Sequence, residues 1–306
     1  MPNGIELKFE ELMLVPPLSQ LLPNIMVASQ RYGLLRANSR GRGMEFSEVR
    51  SYQPGDDIRT IDWRITARTG KTFTKLFREE RDRNVYIILD LDPAMYFGSQ
   101  GQLKARVAAL IAASCAWQAF DMKDKVGGMI ILGDTPIRHK PGGMRGDMLA
   151  WIRKVYEAYQ IGLRRQNFDY SISNGLEIFV NHARPGSVFH IISDFYRLND
   201  NAWLYLRRLN KSHIVRTYQI YDKLEMEIDG KGTVGINTGN NHGYISSLNR
   251  DFVENYRRIG VHRIHNINRM LTEASQKNIC IDVSDPLLGK REEQQDESDS
   301  SENEVK

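Results

Sequence analysis

Three short runs of almost unbroken apolar residues constrain this chain most: Val85-Tyr-Ile-Ile-Leu89, Val126-Gly-Gly-Met-Ile-Ile-Leu132 and Val188-Phe-His-Ile-Ile192. Runs this short, with no polar alternation, suit strands covered on both faces, as in a parallel sheet. Helical patterns separate them. Leu103 to Phe120 is Ala-rich and apolar almost all round, which predicts a buried helix, and Leu149 to Tyr159 and Ile172 to Val180 also read as helices. Further on, Trp203 to Leu209 reads as helix, Ile214 to Tyr221 as strand, Phe252 to Ala274 as a long helix and Ile279 to Val283 as a last strand. Strands alternating with helices predict an α/β fold, a doubly wound and mainly parallel sheet covered on both faces, over residues 84–285.

Residues 1–83 read as an N-terminal basic module. Leu18, Leu21, Leu22, Ile25, Met26 and Ser29 form one apolar stripe interrupted by Pro23, which predicts a short helix docked on the body. From Gly33 to Gly70 the composition is Gly-, Arg- and Asp-rich with little periodicity. Met44, Phe46, Tyr52, Ile58, Ile61 and Trp63 punctuate it, so an ordered but irregular, loop-rich segment is expected. Lys71 to Phe77 alternates at period two, as a half-exposed strand does. Residues 286–306 carry almost no apolar side chains, and from Lys290 onward three basic residues face seven acidic ones. Such a segment buries too little surface to offset ordering entropy, so a disordered acidic tail is expected.

The formal net charge of +4 is unevenly spread, with thirteen Arg or Lys against eight Asp or Glu between Arg31 and Arg83. A basic segment of that kind can meet nucleic acid, an anionic membrane or an acidic protein surface. The plainer reading is that these charges pair with one another or face water. Cys115 and Cys280 have no companion Cys or His at metal spacing, which excludes zinc, iron–sulfur and disulfide-framework readings. Both lie in apolar runs and are expected to be buried thiols. The start of the chain lacks a basic, then apolar, leader pattern. The longest apolar stretch, Val107 to Trp117, is too short to span a bilayer. A cytoplasmic protein without stable membrane insertion is expected.

In an open parallel sheet, ligands bind at the carboxyl ends of the strands where the winding reverses. Two of the apolar runs end there in acids, as Asp90-Leu-Asp92 and as Ser193-Asp194. If these strands are neighbours, three carboxylates and a hydroxyl converge into a site suited to a hard cation such as Mg²⁺. Asp at strand ends also caps turns and helices, which is the structural alternative. The stretch from Gly41 to Arg64 has its own logic. Pro54-Gly55-Asp56-Asp57 is a turn, and an Asp can cap the element after it. Arg50, Arg59, Arg64 and Arg68 interleave with Glu45, Glu48, Asp57 and Asp62, so ion pairs can brace the module. As a docking surface, Arg50, Asp56, Asp57, Arg59, Asp62, Trp63 and Arg64 are the candidates. Arg side chains and aromatics stand together here, but no nucleic-acid-binding fold accompanies them, so nucleic acid is not expected as partner.

Three other patterns fail on context. Gly230-Lys-Gly232-Thr-Val-Gly235 spells a dinucleotide fingerprint, but Ile-Asn-Thr-Gly-Asn-Asn stands where a helix should begin, which makes it a turn-rich hairpin. Gly55-Asp56-Asp57 lacks the hydrophobic hairpin of polymerase acids. His262 and His265 lie three apart on one helix and read as a surface pair. No nucleophile–base arrangement can be named.

The block Arg40-Gly-Arg-Gly-Met-Glu45-Phe46-Ser47-Glu48-Val49-Arg50-Ser-Tyr52-Gln-Pro54-Gly55-Asp56-Asp57-Ile58-Arg59-Thr-Ile61-Asp62-Trp63-Arg64 closely resembles the signature of the domain-of-unknown-function family fifty-eight. The continuations agree: Tyr86 to Asp90, Phe97-Gly98 with Lys104 beyond it, Asp124-Lys-Val126-Gly127, Ile192-Ser193-Asp194-Phe195 and Asp222-Lys-Leu-Glu225. The resemblance covers about residues 31–285. It implies a von Willebrand factor A-like fold and no established enzymatic activity. It also implies work as an adaptor or assembly factor beside a MoxR-type AAA+ ATPase. The metal motif of von Willebrand A domains is Asp-x-Ser-x-Ser with a Thr and an Asp from two other loops. Asp90 matches its first residue and Asp194 its last, but Asp92 and Ala94 stand at the two Ser positions. No convincing Thr lies near Gly142-Gly143-Met144. Asp90, Asp92 and Asp194 thus form a degenerate metal site, with Mg²⁺ as the candidate ion.

The expected function is a non-catalytic protein-binding adaptor acting with a MoxR-type AAA+ ATPase. The alternatives are a Mg²⁺-dependent hydrolase built on the strand-end carboxylates, and a binder of anionic polymers.

Overall fold

The structure is a computed structural model, which describes residues 4–22, 44–53, 56–79, 83–99, 101–133, 135–164, 171–228, 233–238, 241–246 and 250–284. The chain divides into two compact units, Met1–Gly33 together with Arg83–Lys306, and Leu34–Asp82. The stretch grouped in the sequence as 1–83 is therefore shared between the two.

In the larger unit, α1 (Phe9–Leu14) and α2 (Leu18–Leu21) precede β3 (Asn84–Asp90), α4 (Lys104–Asp121), β4 (Lys125–Ile131), β5 (Ile137–Gly142), α5 (Arg145–Gly162) and α6 (Ile172–His182). Then come β6 (Val188–Ser193), α7 (Asp200–Ser212), β7 (Ile214–Tyr221), a hairpin of β8 (Thr233–Thr238) and β9 (Asn241–Ser246), α8 (Arg250–Ala274) and β10 (Lys277–Asp282). β1, β2 and α3 belong to the smaller unit. The main sheet runs β10-β7-β6-β3-β4-β5. Every pairing is parallel except β4 with β5, which is antiparallel. The winding starts at β3, grows outward through β4 and β5, then crosses to β6, β7 and β10. This is the doubly wound order, and its reversal lies between β3 and β6.

Side-chain alternation explains why these strands read as unbroken apolar runs. Val85, Ile87 and Leu89 of β3 join one core with α4 and α5, while Tyr86 and Ile88 join a second core with α6 and α7. Each face is covered, so neither parity needs polar residues. α4 is buried along most of its length, in keeping with its all-round apolar sequence. The N-terminal helices close over it: Leu7, Leu12 and Leu18 are buried, the Trp117 indole donates to Leu12 O at 3.2 Å, and Arg106 pairs with Glu11 at 2.6 Å. The docked helix expected from the Leu18 stripe is thus present in its first turn, and the part from residue 23 lies outside the described residues.

A close backbone approach explains the glycine pair in β4. A Cβ on Gly128 would lie 2.0 Å from the Ile87 carbonyl oxygen of the neighbouring strand. Gly128→Ala must push β3 and β4 apart, and we expect it to cost about 1–3 kcal/mol, measured as a lowered urea midpoint with unchanged slope.

The smaller unit is more regular than its composition suggests. β1 (Met44–Ser51) pairs antiparallel with β2 (Phe73–Glu79), and between them lie a 3-10 turn, Ile58–Thr60, and α3 (Trp63–Thr69). This corrects the irregular segment expected over Gly33 to Gly70 for the described part of it. The missed helix carries ordinary punctuation: the Asp62 carboxylate accepts from the N–H groups of Arg64 and Ile65, and Gly70 ends it at φ 69°. β5 was also missed. Its residues alternate between half-buried and exposed, and Pro141 lies within it, as an edge strand tolerates. Cys280 is a further correction: Cys115 is buried, but Cys280 is exposed on the edge strand β10. The turn-rich hairpin expected after Gly230 is the β8–β9 pair. Gly230, Gly232, the Pro54-Gly55 turn and the acidic tail lie outside the described residues.

Candidate functional site

β3 and β6 are paired in register, Leu89 opposite Ile192, so their acidic ends share the switch point. Asp90 is buried. One carboxylate oxygen accepts from the Asp92 N–H at 3.0 Å, the other from the Ser193 hydroxyl at 2.7 Å. Burial, with the charges of Asp194 and then Asp92 nearby, pushes the Asp90 carboxyl up to about 7, against the opposing Ser193 hydrogen bond. Asp194 is also buried, and its Oδ1 accepts from the Tyr196 N–H at 3.0 Å. Phe195 between them has φ 57°, an uncommon conformation for a residue with a Cβ. Its N–H donates to Ser193 Oγ at 2.8 Å, and its buried ring anchors the turn in the second core. Tyr196 and Arg197 stand exposed just beyond it.

The sequence reading missed the centre of this edge. Lys104, the first residue of α4, has no exposed surface, and its ammonium donates to Asp194 Oδ2 at 2.8 Å and to Glu225 Oε1 at 2.7 Å. Burial alone would lower the lysine pKa. Asp194 and Glu225 outweigh it and hold the group above its usual value. A signal was present: a lysine in the first turn of a long helix opposes the helix dipole, and an apolar helix has no solvated face there to receive it. Glu225 belongs to the 3-10 turn Lys223–Glu225 after β7, and its Oε2 accepts from the Asp222 N–H at 3.0 Å. Asp222, fully buried, accepts from the Ser99 backbone N–H at 2.7 Å and from the Ser99 hydroxyl.

Asp90 and Asp194 therefore come together as expected, but Asp92 turns away. Its Oδ1 caps Ala94 at 3.1 Å and its Oδ2 pairs with Arg197 at 2.5 Å. Among the described residues no set of three His, Cys, Asp or Glu side chains is gathered so as to hold a metal ion. Three of the described histidines lie elsewhere: His190 meets the Tyr218 hydroxyl at 2.8 Å in the core, where burial and then Arg216 push its pKa down to about 3, and His262 and His265 are exposed on α8.

In the smaller unit, Arg50 pairs with Asp56 at 2.7 Å. The Gln53 N–H, and with it Arg50, holds the Asp56 carboxyl below its usual range. Asp57 caps the 3-10 turn through the Arg59 N–H at 3.0 Å, and Asp62 caps α3. Arg50, Asp56, Asp57 and Asp62 thus brace this unit, whereas Ile58, Arg59, Trp63 and Arg64 are exposed, Trp63 at 66%.

Residues 48–260 match the family described as "Protein of unknown function DUF58", and the chain belongs to that family. An uncharacterised protein of Mycobacterium tuberculosis is 26% identical over 197 residues, which cover 63% of this chain and 60% of that protein. The chain spans about 60% of the length of the curated relatives it matches. Among solved structures, the conserved hypothetical protein BatB from Bacteroides thetaiotaomicron has 12% identity, covers 67% of this chain and 93% of its own, and gives a TM-score of 0.39. The SpRpn10 VWA domain has 12% identity, covers 68% and 92%, and gives 0.37. Among the described residues no helix is long and apolar enough to cross a membrane.

Proposed function

We propose that this chain is a non-catalytic, cytoplasmic protein-binding adaptor or assembly factor acting with a MoxR-type AAA+ ATPase. The observation that carries this reading is the exposure of Trp63 and Ile58, at 66% and 64%, beside the exposed Arg59 and Arg64 within the signature block. Trp and Arg dominate binding energy at protein interfaces, and Trp63 opens a helix whose start Asp62 caps. The switch-point acids supply the other support. Their oxygens are engaged by Lys104, Ser193, Arg197 and backbone N–H groups, and among the described residues Ser193 Oγ meets Asp90 and the Phe195 N–H rather than a histidine.

The test is an affinity pull-down of the purified ATPase by the full chain. Wild type should retain it, while Arg59→Glu/Arg64→Glu and Trp63→Ala should each weaken retention at least about tenfold with unchanged melting curves. A folded wild-type chain that retains no ATPase overturns the proposal. Mg²⁺-dependent turnover of a phosphoester, lost in Asp90→Asn, would replace it with the hydrolase reading.

A further inference from the structure

The von Willebrand A motif that the resemblance implies would hold a divalent ion at the carboxyl ends of the strands, and two acids at its positions, Asp90 and Asp194, come together here. The residues around them do not fit such an ion. Asp194 Oδ2, on the acid that matches the last metal ligand, is bonded to the Lys104 ammonium at 2.8 Å, and the same nitrogen reaches Glu225 at 2.7 Å. The remaining oxygens are also engaged internally: both on Asp90, by the Asp92 N–H and the Ser193 hydroxyl; both on Asp92, by the Ala94 N–H and Arg197; the second on Asp194, by the Tyr196 N–H; and the second on Glu225, by the Asp222 N–H. Lys104 has no exposed surface, so its charge serves these carboxylates and no external ligand. A divalent ion on Asp194 would sit against a fixed ammonium, and like charges repel strongly out of water.

We infer that Lys104 is the resident cation of this edge: its ammonium takes the place of the divalent ion that the von Willebrand A motif implies and ties the start of α4 to the end of β6 and to the turn after β7, so that the edge is assembled without metal. The inference goes beyond the proposed function and stands whether or not an ATPase is the partner. Its consequence is chemical. The edge depends on a covalent cation, and substituting Lys104 leaves one oxygen on Asp194 and one on Glu225 unpaired, with no third acid among the described residues free to complete a metal site.

The experiment is titration of the full chain with Mn²⁺ alone, counting bound ion by electron paramagnetic resonance and tracking the melting temperature. Wild type should bind no more Mn²⁺ than Asp194→Asn does up to about 1 mM, the range of weak protein sites, and should melt at the same temperature in chelator. Lys104→Ala should melt below wild type by the same margin in Mn²⁺ and in chelator, with part of that loss recovered in Lys104→Ala/Asp194→Asn. Should Lys104→Ala fail to fold, Lys104→Met, which keeps the apolar stem, carries the same expectation. One Mn²⁺ bound by wild type and lost in Asp194→Asn overturns the inference, as does a lysine variant whose melting temperature Mn²⁺ restores to that of wild type.

Discussion

Lys104→Met should unfold at a much lower urea concentration than wild type, with a loss of about 3–5 kcal/mol, the usual cost of removing one partner from a buried ion pair. Met keeps most of the side-chain length and the apolar stem, so the packing of α4 is little disturbed and the loss reports on charge. What remains is Asp194, 7% exposed, and Glu225, 17% exposed, facing each other without the ammonium. The penalty belongs to the orphaned carboxylates more than to the lost bond. Lys104→Met/Asp194→Asn/Glu225→Gln should therefore recover part of the loss, although it carries more substitutions. A triple variant no more stable than the single would show that the lysine acts through packing alone.

Asp90→Asn should do the opposite and stabilise the chain at alkaline pH. The Asp90 carboxyl is raised from 3.8 to about 7, chiefly by burial. Between those values the native state holds a proton that the unfolded state has already released, so this group's contribution falls as pH rises from about 4 to about 7 and is flat beyond. The rise corresponds to roughly 4 kcal/mol. Asparagine avoids that loss: its carbonyl oxygen can accept from the Asp92 N–H and its amide can donate to Ser193 Oγ, the two partners already present. Urea titrations at pH 4, 5, 6, 7 and 8 should show the two proteins close together at pH 4, diverging up to about pH 7 in favour of the variant, and separated by a constant gap beyond. A gap that does not change with pH would mean that Asp90 stays ionised in the folded chain.

Both predictions concern one cluster, and the sequence disclosed only half of it. Asp90 and Asp194 were found because strand ends carry a positional meaning that apolar runs make visible. Lys104 was seen only as the flank of an apolar helix and as part of a family signature. Glu225 was seen only as part of Asp222-Lys-Leu-Glu225. Nothing local says that these two meet. In the smaller unit the balance reverses: Asp57 and Asp62 each cap the turn or helix that starts directly after them, a one-turn effect legible in the order of residues, whereas Met44–Ser51 showed no strand pattern before its antiparallel pairing with Phe73–Glu79 was known.

By itself the sequence determined the α/β class, the position of the interior strands, the buried α4 and the placing of two carboxylates at strand ends, because covering both faces of a strand or all sides of a helix writes a continuous apolar pattern into neighbouring residues. Only the tertiary structure decided that Asp92 turns to Arg197, that Cys280 lies on an exposed edge, and that one lysine closes the site. The Lys104 bonds span 90 and 121 positions of the chain. Contacts at that separation depend on strand order, which the crossovers set and no local pattern records.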